Sequence, residues 1–83
     1  MRETLPFREN VLQTLHNHCA TAADLAIRGD EVARILQKDP NEIEIILDEF
    51  KNEGFLENLN DGEGKKRYYL TGRGIIKVCS QFT

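Results

Sequence analysis

The chain has 83 residues, of which 40% are hydrophobic and 30% charged, and its formal net charge is −3. This length suits one domain with a single core, and the composition is typical of a soluble globular protein rather than a disordered or fibrous one. No apolar run approaches the ~20 residues that span a bilayer, and no charged-then-apolar leader opens the chain, so we expect a cytoplasmic protein without a membrane partner.

The apolar residues near the start of the chain have helical spacing. Val11, Leu12 and Leu15 fall on one stripe and predict a first helix over about residues 6–18. The stretch that follows, residues 21–29, is ambiguous. Its alanines allow a helical turn, whereas its apolar residues alternate as in a short strand.

A short second helix is predicted over about residues 30–37. Gly29 and Asp30 interrupt the preceding pattern, and either of them can serve as the N-cap. The apolar residues Val32, Ile35 and Leu36 have the helical spacing that predicts this helix.

The clearest local signal is Asp39-Pro40, which predicts the start of a third helix over about residues 40–53. Asp39 can accept hydrogen bonds from the unpaired N–H groups of the first turn, and Pro40 lacks an N–H that would be unpaired there. Gly54 is expected to end this helix in the left-handed conformation. The predicted buried face comprises Ile43, Ile46, Leu47 and Phe50.

After the third helix the spacing changes from helical to extended. Two short runs rich in β-favouring residues predict a β-hairpin, here called the wing, over residues 55–70, with a polar, glycine-containing loop between its strands. Thr71 can cap a final helix over about residues 72–82. Its apolar stripe comprises Ile75, Val78, Cys79 and Phe82.

The ordered set of elements resembles a winged helix-turn-helix domain, and the resemblance covers nearly the whole chain. The residues that carry it are 31–36, 46–50, 53–57 and 67–74. The last of these segments is similar to the YxLTxxG end of the wing in many small prokaryotic regulators. The resemblance implies an α+β, mostly α fold in a single domain over residues 1–83, with a three-helix core, a two-stranded wing and a C-terminal helix. It also implies a DNA-binding transcriptional regulator.

Charge is unevenly distributed along the elements. Residues 39–54 hold six acidic and one basic residue, a net charge of −5, whereas residues 55–83 carry +2. In DNA-binding members of this class the third helix enters the major groove, close to negatively charged phosphates. The predicted outer face of that helix here presents Asn41, Glu44, Ile45, Asp48 and Asn52. We therefore do not expect the third helix to make the main DNA contacts.

The wing, by contrast, carries basic and aromatic residues suited to a DNA backbone, since phosphates accept hydrogen bonds from Lys and Arg. The predicted nucleic-acid-binding residues are Lys65, Lys66, Arg67, Tyr68 and Arg73. The alternative is that the basic run is a solvated loop and that the tyrosines pack within the sheet. The first hypothesis is a transcriptional regulator that binds double-stranded DNA mainly through the wing.

A second hypothesis is a protein–protein interaction module. Ile45 projects between Glu44 and Asp48, and an apolar anchor ringed by carboxylates would suit a basic protein partner. The first and last helices can also form a homodimer seam. The apolar residues available there are Leu5, Phe7 and Phe82.

No catalytic, metal or cofactor site is expected. His16, His18 and Cys19 cluster near the end of the first helix, but their spacing with Cys79 matches no metal motif, so structural roles are favoured over zinc or an iron–sulfur centre. Two cysteines are too few for a disulfide framework. The glycine pairs form no phosphate-binding fingerprint, and no catalytic triad or paired-carboxylate pattern appears. An enzyme is therefore not expected.

Overall fold

Four helices and three strands follow one another in the computed structural model, which describes residues 7–80. The helices are α1 Phe7–Asn17, α2 Gly29–Leu36, α3 Pro40–Asn52 and α4 Gly72–Ser80. The strands are β1 Ile27–Arg28, β2 Leu56–Asn60 and β3 Lys66–Leu70, with a short 3-10 turn, Ala23–Leu25, ahead of β1. The four predicted helices and the hairpin are confirmed. The predicted contributions of Leu5 and Phe82 lie outside the described residues.

Three predicted helix-end signals are present in the structure. Asp39 Oδ1 accepts a hydrogen bond from the Asn41 N–H at 2.9 Å and caps α3. Thr71 Oγ1 accepts from the Gly74 N–H at 3.1 Å and caps α4. Gly54 has a φ of +88°, in the left-handed region that follows many helices. Local side-chain chemistry therefore sets where these helices begin and end.

The predicted cap of α2 was wrong. The N-cap is Arg28, which has an extended backbone and makes no side-chain cap hydrogen bond, while Gly29 and Asp30 already belong to the helix. Ile27 and Arg28 pair with β3, so the chain can turn into a helix immediately after them. Gly29 also lies close to α3, because a Cβ added there would stand 3.2 Å from Glu44 Cγ.

The sheet has three antiparallel strands in the order β1-β3-β2, rather than the two strands predicted for the wing alone. β2 and β3 form the hairpin, and β1 pairs with the other edge of β3 through Ile27 opposite Tyr68 and Arg28 opposite Arg67. The ambiguous stretch thus forms both a 3-10 turn and a short strand. Two residues are too few to show a periodic pattern, and β1 is held by its partner strand.

The core lies between the helices and the inner face of the sheet. The predicted stripes of α1 and α3 are buried, and they meet Leu56, Tyr68 and Leu70 from the sheet. Ile35 departs from the apolar stripe of the helices, because α2 turns Val32 and Ala33 inward and leaves Ile35 39% exposed. Cys79 also departs, since α4 buries Val78 and leaves the neighbouring thiol exposed. In residues 7–80, no helix is long and apolar enough to cross a membrane.

Candidate nucleic-acid interface

The tip of the wing faces the first turns of α2 and α3 across a shallow groove, here called the wing groove, of about 260 Å³. It brings together three basic side chains, two acidic ones and the exposed start of α3. Its lining residues are Arg28, Gly29, Asp30, Pro40, Asn41, Glu44, Lys65 and Lys66. Two of the predicted DNA-contacting lysines therefore lie next to α3, the helix that was not expected to make the main DNA contacts because of its negative charge.

Asp61 holds the wing loop in place. Its carboxylate accepts from the Glu63 N–H at 2.8 Å and the Lys65 N–H at 3.1 Å, within the loop itself. It also accepts from Arg28 Nε at 2.8 Å and Arg67 Nε at 3.3 Å, which ties the loop to β1 and β3. The bonds from the Glu63 N–H, foremost, and from the Lys65 N–H and Arg28 lower the pKa of Asp61 to about 2, although partial burial opposes them. The loop therefore presents Lys65 and Lys66 from an anchored backbone.

Lys65 and Lys66 remain accessible beside the wing groove. Their side chains are 57% and 45% exposed. Lys65 Nζ lies 3.9 Å from Asp30 Oδ2, and Lys66 Nζ lies 3.7 Å from Asp48 Oδ1. Exposed ion pairs of this length contribute little to stability, so both ammonium groups can exchange a carboxylate for another anion.

Arg67 and Arg73 occupy different environments from the two lysines. Arg67, besides its contact with Asp61, donates from Nη1 to the Ala26 carbonyl at 3.3 Å and so bridges β3 to the start of β1. Arg73 lies at the other end of the hairpin, where its guanidinium sits over the Phe55 ring at 5.4 Å from the centroid. The structure thus brings Lys65, Lys66 and Arg67 together and separates Arg73 from them.

Tyr68 is a correction to the predicted contact set. It has no exposed surface, and its hydroxyl donates to Asp48 Oδ1 at 2.8 Å. Burial, followed by the Asp48 carboxylate, raises the pKa of Tyr68. The reason is the pleat of β3, which is the central strand and turns Tyr68 and Leu70 into the core. The alternative reading, that the tyrosine packs within the sheet, is the one that the structure supports.

The acidic residues of α3 are partly neutralised by basic residues from other elements. Arg8 of α1 lies 3.2 Å from Glu49 and 3.5 Å from Glu53, and its guanidinium also stacks on Phe50 at 4.5 Å. Asp48 accepts from Tyr68 and lies near Lys66, as described above. The sequence could not show this pairing, because Arg8 is some 40 residues away along the chain. On the face predicted for a protein partner, Lys66 pairs with Asp48 and so reduces its charge, while Ile45 is 60% exposed.

The cysteines and histidines near the end of α1 form no metal site in the described part of the chain. No group of three or more His, Cys, Asp or Glu residues within residues 7–80 is arranged to hold a metal ion. Cys19 and Cys79 are both free and exposed. Cys19 has a φ of 59°, and its backbone forms part of the turn that leaves α1.

Comparison with known proteins gives matches at the level of structure. No family model matches the chain, and no curated protein does. A MepR–DNA complex from Staphylococcus aureus superposes with a TM-score of 0.78 at 18% identity, over 94% of this chain and 61% of that one. TubR from Bacillus megaterium gives 0.76 at 22% identity, over 90% and 83%, and the complex structure of hsRosR-S4 gives 0.79 at 22%, over 98% and 70%.

The chain has a winged-helix fold. In this fold β2 and β3 are the wing, and α2 and α3 form the helix-turn-helix. The predicted architecture is therefore confirmed, with β1 as a third strand in the sheet. The chain spans about half the length of the MepR chains that it matches, one of which is described as a transcription regulator of a multidrug efflux pump.

Proposed function

We propose that this winged-helix chain binds double-stranded DNA and regulates transcription, with the wing making the main contacts. The observation that carries the proposal is the wing groove, where Lys65 and Lys66 stand exposed beside the open start of α3. Both are long cations on an anchored loop, which suits contact with phosphate oxygens. The fold shared with a MepR–DNA complex supports the same assignment.

The proposed phosphate contacts are Lys65 and Lys66, with Arg67 and Arg73 in supporting positions. Arg67 already donates hydrogen bonds to Asp61 and to the Ala26 carbonyl, so its main role is to hold the wing in position. Arg73 is exposed at the base of the hairpin, where a second segment of backbone can reach it. The shallow, polar wing groove supports a binding role rather than an enzymatic one.

The homodimer predicted through the first and last helices remains a proposal. α1 and α4 pack against each other within one chain. Ile76 of α4 is 69% exposed and offers apolar area to a second copy. Sedimentation of the purified protein over a range of concentrations measures its oligomeric state directly. A single monomeric species at every concentration would reject the dimer.

DNA binding is tested by fluorescence anisotropy with a random-sequence duplex at several salt concentrations. Lys65→Gln and Lys66→Gln should each weaken binding and reduce the slope of log K against log salt by about one, the signature of one lost phosphate contact. Lys77→Gln is the matched control, because it removes the same charge from α4, where the ammonium lies 3.9 Å from Glu9. If the wild type shows no salt-dependent binding, the proposed function is wrong. Equal effects of all three variants would reject the wing as the contact surface.

A further inference from the structure

The exposed face of α3 carries two uncharged side chains one turn apart, Asn41 and Ile45, although the helix as a whole is acidic. Asn41, Ile45 and Asn52 lie at positions i, i+4 and i+11, which share one helical face, and all three are exposed. In the described part of the chain the Asn41 side-chain amide makes no hydrogen bond. The hydrogen bond from Asn41 to Asp39 is donated by the Asn41 backbone N–H. An amide and an isoleucine one turn apart therefore stand free at the surface.

Asp48, seven residues after Asn41, lies on the same face, and half-buried Glu44 lines the wing groove beside Asn41. On one flank Glu49 and Glu53 pair with Arg8. On the face itself, Asp48 accepts from Tyr68 and lies 3.7 Å from Lys66. The repulsion that the net charge of −5 predicts is thereby lowered where a DNA backbone would pass. The remaining exposed carboxylate of the first turn, Glu42, lies about a quarter turn around the helix from Asn41.

We propose that Asn41 and Ile45 read A·T base pairs in the major groove. An asparagine amide can donate to N7 and accept from the N6 amino group of adenine, and an apolar side chain can contact the C5 methyl group of thymine. An α-helix about 10–12 Å across fits the ~12 Å major groove. This inference rests on the proposed function and adds the bases that the protein would recognise.

The spacing of the two side chains is compatible with this reading. Four residues of helix advance about 6 Å, while successive base pairs of one strand are ~3.4 Å apart. Asn41 and Ile45 therefore reach positions about two base pairs apart. Asn41 also lines the wing groove with Lys65 and Lys66, so the contacts that hold the phosphates place the amide at the base edges.

The test begins with selection of tight-binding duplexes from a library with a randomised central segment. Modified bases are then introduced one at a time into the selected duplex. Replacing thymine by uracil removes the C5 methyl group, and replacing adenine by 7-deazaadenine removes N7. At one thymine, uracil should weaken wild-type binding about threefold to fivefold and leave Ile45→Ala binding unchanged. At one adenine, 7-deazaadenine should weaken wild-type binding at least about fivefold and leave Asn41→Ala binding unchanged.

Leu25→Ala is the control for Ile45→Ala, because Leu25 is also an exposed apolar side chain (49% against 60%) and lies in the turn before β1, outside the wing groove. It should keep the wild-type sensitivity to uracil. If the wild type binds duplexes but neither base analogue changes its affinity, the inference is overturned while the wing function stands. If both variants keep the wild-type sensitivities, the inference is likewise overturned. If the wild type binds no duplex, the proposed function is overturned as well, and the exposed Ile45 is then assigned to contact with a protein partner.

Discussion

The Tyr68 hydroxyl donates a 2.8 Å hydrogen bond to Asp48 Oδ1, and this contact joins the central strand of the sheet to the middle of α3. The same carboxylate oxygen lies 3.7 Å from Lys66 Nζ. One carboxylate on the helix therefore contacts an inward-facing residue of β3 and an exposed residue at its end. The position of the wing relative to α3 depends on this contact as well as on the apolar core.

Tyr68→Phe should lower the free energy of unfolding by about 1 kcal/mol. The ring stays in the core and the loss is one hydrogen bond to a charged acceptor, whose side chain is 43% exposed and stays hydrated. Urea denaturation followed by circular dichroism measures the change. Tyr69→Phe is the control, since within residues 7–80 the Tyr69 hydroxyl makes no hydrogen bond. Equal losses in both variants would contradict a specific role for the contact.

Gly74→Ala should destabilise the protein by about 2 kcal/mol or more. A Cβ at this position would stand 2.1 Å from the Phe55 carbonyl oxygen, so α4 would have to move away from the start of β2. Gly72→Ala, in the same helix, meets nothing within 4 Å and should stay within about 0.5 kcal/mol of the wild type or exceed it. Thermal unfolding compares the two variants. A Gly74→Ala protein as stable as Gly72→Ala would show that this close approach does not occur.

Stability should fall on acidification through Asp61. Its pKa is lowered to about 2 in the folded protein, against about 3.9 for an unperturbed aspartate. The folded state then binds fewer protons than the unfolded one, so this contribution is complete above about pH 4 and is lost as the pH falls towards 2. In Asp61→Asn the fall in melting temperature over that range should be smaller, because the position no longer titrates.

The control for the acid titration is Asp24→Asn. Asp24 is exposed in the turn before β1 and, within the described residues, accepts none of the hydrogen bonds that Asp61 does. This variant should keep the wild-type dependence of melting temperature on pH. If Asp61→Asn and the wild type lose stability in parallel between pH 4 and pH 2, the wing-loop carboxylate does not have the predicted linkage.

If the wing binds DNA, Asp30→Asn should raise the affinity for a duplex at low salt by about twofold to fivefold. Asp30 lies 3.9 Å from Lys65 in the wing groove, where its negative charge competes with phosphates and repels them. Glu9→Gln is the matched control, because it removes a carboxylate paired with Lys77 of α4, and neither residue lines the wing groove. Anisotropy titrations at low and high salt measure both, and the gain should shrink as salt screens the charge. If both variants gained the same affinity for DNA, the gain would be due to net charge alone and not to the position of Asp30.

The sequence predicted many of the residues of the candidate site, but not how they are arranged in space. The sequence indicated that Lys65, Lys66 and Ile45 would be exposed, because a polar, glycine-containing loop and the outer face of an amphipathic helix both face solvent. It did not indicate that Asp61 would accept hydrogen bonds from two arginines, because Arg28 is 33 residues away along the chain. Tyr68 was misassigned because a tyrosine is common both at binding surfaces and in strand cores.

The sequence by itself determined the four helices, the starts of α3 and α4, and the hairpin. These depend on interactions within a few residues, such as Asp39 with the Asn41 N–H, Thr71 with the Gly74 N–H, and the spacing of apolar side chains. The tertiary structure decided which charges of α3 are neutralised, that β1 joins the sheet, and which wing residues face solvent. Each of these outcomes is a contact between distant parts of the chain, and it exists once burial of the common core has brought those parts together. The net charge of −3 therefore says little about DNA binding, whereas its arrangement in space leaves Lys65 and Lys66 of the wing beside the exposed start of α3.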